Sequence, residues 1–236
     1  MTWSIVARDP ASGAFGICVA TRAFAVGARV PHIASQVGAI ATQANTNALY
    51  GTRGLRLLRA GVPAPDAVRL LTGADAGRDH RQLHMQDAQG RITAHTGAQC
   101  VAWCGHVIQG TFSVAGNMLA GPQVVEETAR AYTANAALPF PRRLIAALKA
   151  GEAVGGDKRG KQSAALKIFS TEEYPDFDLR VDDHAEPLAE LERLEQVSRE
   201  RFAYARLFSP RQDDPVGLTD FDEITRRVEA LKAADR

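Results

Sequence analysis

The chain has 236 residues, 45% of them hydrophobic, enough to bury a full core within one domain. Its 28 Lys and Arg nearly balance 27 Asp and Glu, which excludes a basic field for nucleic acid or an anionic membrane, and no apolar run reaches the ~18 residues of a membrane helix. Cys18, Cys100 and Cys104 are too few for a disulfide framework, and the opening MTWSIVARDP lacks the cationic start and apolar core of a secretory leader, so a cytoplasmic protein with a small-molecule or peptide substrate is expected.

Trp3 to Arg8 and Phe15 to Ala20 are short β-rich runs joined by Asp9-Pro10-Ala11-Ser12-Gly13, and they predict a hairpin. A third strand, Gly38 to Thr42, leads into the polar stretch Gln43-Ala44-Asn45-Thr46-Asn47. Leu49, Leu55, Leu57 and Leu58 predict a helix ending near Gly61, and Ala67, Val68, Leu70 and Leu71 a second one that stops at the Gly73 to Gly77 break. Gln82 to Thr96 returns to strands about the turn Asp87-Ala88-Gln89-Gly90, with two more at Gly105 to Ile108 and Thr111 to Ala115. Helices resume at Gly121-Pro122 and over Leu138 to Ala150, and strands at Ser163 to Phe169 and Phe177 to Val181 complete the core.

Paired strands alternating with paired helices predict an α+β fold, in which two sheets stack face to face with helices outside each: a four-layer αββα sandwich over residues 1–185. Residues 186–236 are charge-rich, with Leu188, Leu191, Leu194 and Val197 at helical spacing. They predict a C-terminal helical extension docked on the same domain and contributing to a homodimer.

Thr2 stands immediately before the first strand, behind a methionine that a small second residue allows to be trimmed. A free α-amine on that threonine has a pKa of about 8 and can act as base for its own hydroxyl. Asn117 sits at a strand-to-helix junction, where a side-chain amide either faces a developing oxyanion or caps the helix. Gln43, Asn45, Thr46 and Asn47 crowd amides into one loop, which suits either a polar substrate or plain turn chemistry. Cys100-x-x-x-Cys104-x-His106 lacks the further ligands of a zinc site, and Asp182-Asp183-His184 alternates across a strand end, so neither metal nor cofactor is expected.

Thr2 leading a strand, followed by Thr21-Arg22-Ala23-Phe24-Ala25-Val26-Gly27, resembles the opening of proteasome β-subunits. Through TWSIVARD (2–9), FAVGARVPH (24–32), GAIATQANTN (38–47), AGNMLAG (115–121), GGDKRGKQSAAL (155–166) and DLRVDDH (178–184), the chain more closely resembles domain-of-unknown-function family ten twenty-eight, over about residues 2–190. That family is placed among folds like those of N-terminal nucleophile (Ntn) hydrolases. The resemblance implies an Ntn-type hydrolase of an amide or related C–N bond, with Thr2 as nucleophile, Asp157 and Ser163 supporting its amine, and Asn117 with backbone N–H groups near Gln43 and Ala44 holding the oxyanion. Arg22, Thr42, Gln43, Ala44, Asn45, Asn47, Arg159 and Gln162 would line the substrate site. No lysine matches the one that activates the proteasome nucleophile; Arg22, Lys158 or Arg159 would have to supply that charge. The rivals are a binding protein on the same scaffold and a ring-opening reaction without an acyl-enzyme.

Overall fold

Strand β1 (Thr2–Arg8) is buried on both faces from Thr2 to Ala7, which a strand can be only if something covers each side of its sheet. It pairs antiparallel with β2 (Phe15–Thr21) across a tight turn that Asp9 organises by accepting the Ser12 N–H. After a 3₁₀ turn at Val26–Ala28 come β3 (Pro31–Ala34), β4 (Gly38–Ala44), helices α1 (Leu49–Arg59) and α2 (Ala64–Gly73), and strands β5 (Arg81–Asp87), β6 (Ile92–Thr96), β7 (Gly105–Gln109) and β8 (Phe112–Asn117). Helices α3 (Gln123–Ala134) and α4 (Phe140–Ala153), strands β9 (Ser163–Phe169) and β10 (Phe177–Val181), and helix α5 (Pro187–Ser198) follow.

This computed structural model describes residues 2–234. The strands form two sheets, ordered β10-β9-β2-β1-β8-β7 and β3-β4-β5-β6, with every pairing antiparallel. Helices α3 and α4 pack on the six-stranded sheet, α1 and α2 on the four-stranded one, and the sheets face each other. The fold is the α+β, four-layer αββα sandwich expected, with β1 inside its sheet between β2 and β8.

Between the sheets, Val6, Phe15, Ile17, Val19, Ala39, Ala41 and Ala165 make an apolar core at one end. On the outer side, Ile40, Leu58, Val68, Leu71, Leu83 and Met85 seat α1 and α2 on the smaller sheet. Strand β3 was not expected. It has four residues, pairs only with β4, and starts on a proline, which an edge position tolerates.

The described residues fall into two compact units, one ending at Glu192 and the other beginning at Arg193. Helix α5 buries Leu188 and Leu191 completely. In the second unit, a 3₁₀ stretch at Phe202–Leu207 is followed by α6 (Phe221–Ala234), which packs against it and buries Ile224 and Val228.

Candidate functional site

Antiparallel register brings four polar side chains into one row across the ends of four adjacent strands. Thr2 on β1 lies opposite Asn117 on β8, and Thr21 on β2 opposite Ser163 on β9, while Thr2 Oγ1 donates to Thr21 Oγ1 at 3.1 Å and so joins the two pairs. Thr2 is in phase with Ser4 and Val6, so the row faces the intersheet layer. All four residues are buried.

The turn after Thr21 is held from three sides. Asp157 Oδ2 accepts the Arg22 N–H at 2.8 Å, and its other oxygen accepts the Arg159 N–H, while the Arg159 guanidinium closes an ion pair at 3.2 Å. Ser163 Oγ donates to Ala23 O at 2.6 Å and accepts the Val26 N–H at 3.1 Å. The Ala25 N–H reaches Asp182 O, and Ala25 itself takes a left-handed φ of 53°. Asp157 and Ser163 thus brace the backbone that carries the hydroxyl partner of Thr2. Gln162 extends this frame outward: its N–H reaches Thr21 O, its Oε1 accepts from Arg22 Nη1, and its Nε2 donates to Asp183.

Behind the row lies a buried polar chain that sequence reasoning missed. Ser4 Oγ donates to Gln43 Oε1 at 2.7 Å, and because its one proton is thereby used, the 2.8 Å contact to His84 Nε2 makes that nitrogen the donor. His84 Nδ1 then accepts from Ser113 Oγ at 2.8 Å. Burial, with a smaller push from His106, lowers the His84 pKa to about 3, so the ring is neutral and, with its one proton on Nε2, leaves Nδ1 as the acceptor. Gln43 Nε2 donates to Gln82 Oε1, Ala115 O and Thr2 O; Asn117 Nδ2 donates to Gln82 Oε1 and Thr2 O. Gln82 Nε2 goes on to Gly116 O and Thr96 Oγ1, which meets His106 Nδ1. A signal was present in RQLHMQD, where Gln82, His84 and Gln86 alternate with the apolar Leu83 and Met85.

The Gln43 and Asn117 amides therefore face inward, their hydrogens spent on protein acceptors, because neither side chain has access to solvent. Asn117 does not cap the helix that follows, and it stands on the wall of an inner cleft. Thr42 Oγ1 donates to Asn47 O and fixes the loop, while Asn47 Oδ1, just before α1, accepts the Leu49 N–H. Of the three candidate cations, Arg22 is held by Gln162, Arg159 by Asp157, and Lys158 Nζ by Ala102 O at 3.0 Å. Cys100 Sγ contacts Arg81 O and Cys104 Sγ contacts Cys100 O, both thiols having their pKa raised by burial.

An inner cleft of about 240 Å³ opens where β4 and β8 end, lined by Ala44, Asn45, His80, Gln99, Asn117 and Met118 among others. Ala44 and Met118 stand in left-handed backbone, φ 69° and 55°. Such conformations in residues with a side chain concentrate at ligand-binding walls. Asn117 joins this cleft to the row, since its strand partner is Thr2.

No curated protein matches the chain. A solved structure, protein SPO2555 from Silicibacter pomeroyi, of family DUF1028, is similar to it at 34% identity and a TM-score of 0.85, over 93% of this chain and 96% of that one. Anbu (ancestral beta-subunit) from Yersinia bercovieri aligns at 10% identity and a TM-score of 0.41, over 89% and 99%. The model of a family of unknown function, DUF1028, matches residues 2–191, and the chain belongs to that family.

Proposed function

We propose that this protein is an Ntn-type hydrolase of an amide or related C–N bond in a small polar metabolite or peptide. The observation that carries the reading is the Thr2 hydroxyl, hydrogen-bonded to Thr21 at the end of a central strand, one strand from a polar cleft. With Thr2 as the first residue of the mature chain, its amine would take the hydroxyl proton as Oγ1 attacks the carbonyl. Backbone N–H groups near Gln43 and Ala44 would meet the oxyanion, and water would release the acyl-enzyme. Asp157 and Ser163 act through the 22–26 turn, keeping Thr21 in place beneath the nucleophile. Asn45, His80 and Gln99 give the cleft the polarity that a carboxamide or peptide substrate needs.

A second reading, a binding protein on the same scaffold, is favoured by the commitment of Arg22, Lys158 and Arg159 to other partners. The two separate on protein made without an N-terminal tag. Intact mass reports whether Met1, which lies outside the described residues, is removed; a retained Met1 rules out the Thr2 mechanism. Against a panel of amides, Thr2→Ala should lower turnover about a thousandfold or more while Thr2→Ser keeps part of it. Undiminished turnover in Thr2→Ala leaves only the other readings.

A further inference from the structure

A second and larger cleft, about 560 Å³, lies between α1 and α2 on the outer face of the smaller sheet. Its volume falls within the range of about 300–1,000 Å³ common to small-molecule sites. Leu57, Leu70 and Leu71 line an apolar wall, and Leu70 remains 46% exposed although a helix of a folded domain could bury it. Arg53 and Arg56, one helical turn apart on α1, lie along the same cleft. Neither guanidinium has a hydrogen-bond or ion-pair partner among the described residues.

The charge around the cleft is one-sided. Helix α1 carries Arg53, Arg56 and Arg59 and no acidic residue, while Arg69 of α2 is already paired with Asp66. The one carboxylate on the wall, Asp75, accepts from Tyr50 Oη at 2.8 Å, Asn47 Nδ2, Arg81 Nε and the Gly77 N–H. These bonds, Tyr50 first, hold its pKa far below the ordinary carboxylate range, so it stays ionised and occupied. Two unpaired guanidiniums beside an apolar wall present forked donors that match one carboxylate and a surface that takes a hydrocarbon or aromatic body.

We propose that this cleft binds a free amphiphilic organic acid, its carboxylate gripped by Arg53 and Arg56 and its apolar body lying on Leu57, Leu70 and Leu71. The concavity between two helices accommodates a single small molecule, and the complementarity is to an anion. The site is separate from the Thr2 row and stands whether or not the chain is a hydrolase.

Octanoate is the probe, titrated calorimetrically into the full-length chain, with octanamide and acetate as controls for the head and the tail. Saturable one-to-one octanoate binding is expected, at least tenfold tighter than octanamide or acetate. R53Q/R56Q should weaken octanoate at least tenfold and leave octanamide unchanged, whereas L70Q should weaken both. Equal affinity for octanoate and octanamide would overturn the proposal, as would octanoate binding unaffected by R53Q/R56Q. So would a chain that ignores octanoate but binds phosphatidylglycerol vesicles, or one whose dimer, seen by sedimentation, is split by R53Q/R56Q and undisturbed by octanoate, since the occupant would then be a membrane or a second copy.

Discussion

His84 is wholly buried and meets only hydroxyls, Ser4 on one ring nitrogen and Ser113 on the other. In the unfolded chain an imidazole protonates below pH 6.5, whereas in the fold this one stays neutral down to about 3. Between those values the unfolded state binds more protons, so the contribution is fully present above pH 6.5 and is lost as pH falls towards 3, at up to about 1.4 kcal/mol per pH unit. His32 and His106 are shifted the same way, both chiefly by burial, and add to the slope. Urea unfolding of the parent and of His84→Gln between pH 7 and 4 should give a clearly flatter slope for the variant, whatever its absolute stability. Equal slopes would mean that the ring is not buried neutral. This residue was illegible in the sequence because a histidine in a strand reads equally well as facing solvent. Thr2, by contrast, was legible from its place ahead of a strand, while its partner Thr21 was not, since pairing across a hairpin depends on register.

At the level of elements, α3 and α4 pack closely against each other behind the candidate site. A β-carbon on Gly151 of α4 would fall on the Thr128 hydroxyl and lie 3.0 Å from the Val124 carbonyl and 3.1 Å from Trp3 Nε1. Thr128 is fully buried and bonded to that same carbonyl, so it has nowhere to retreat. Gly151→Ala should therefore cost about 1–3 kcal/mol, as overpacked helix contacts do, read as a lower denaturant midpoint at unchanged m-value. A neutral substitution would show that the two helices can part without loss. The hairpin, the helical pairs and the layer order were readable because period-two and period-3.6 patterns were long enough to decide. β3 was not, for four residues at an edge carry too little pattern, and its place follows from pairing with β4. The inward turn of Gln43 and Asn117 was likewise hidden, because a local sequence does not reveal that the facing sheet supplies acceptors for their amides.

On the scale of the whole molecule, the first unit holds both sheets, four helices and the candidate site, with α5 anchored in it by Leu188 and Leu191. A chain ending at Ser198 should fold cooperatively by itself; loss of the cooperative thermal transition would make the second unit part of the core. The second unit exposes Phe202, Val216 and Phe221 by half or more, an apolar set of the kind that self-association covers. Sedimentation at micromolar concentration should give a dimer for the full chain and a monomer for the chain ending at Ser198. The same monomer for both would remove the homodimer.

Ala44 and Met118, on the inner cleft wall, are locked in left-handed backbone by bonds just beside or upon them: the Asn45 N–H to His80 O, and the Met118 N–H to Val101 O. Each carries about 1–2 kcal/mol of strain that glycine would not, set against about 0.4–1 kcal/mol for glycine's extra freedom when unfolded. Ala44→Gly and Met118→Gly should thus melt no lower than the parent, and a drop in melting temperature would show these bends to be relaxed. Glycine at either place would also free the wall to move. A heat-tolerance screen run without a ligand assay would let these very variants through, keeping the melting temperature while softening the wall of the inner cleft.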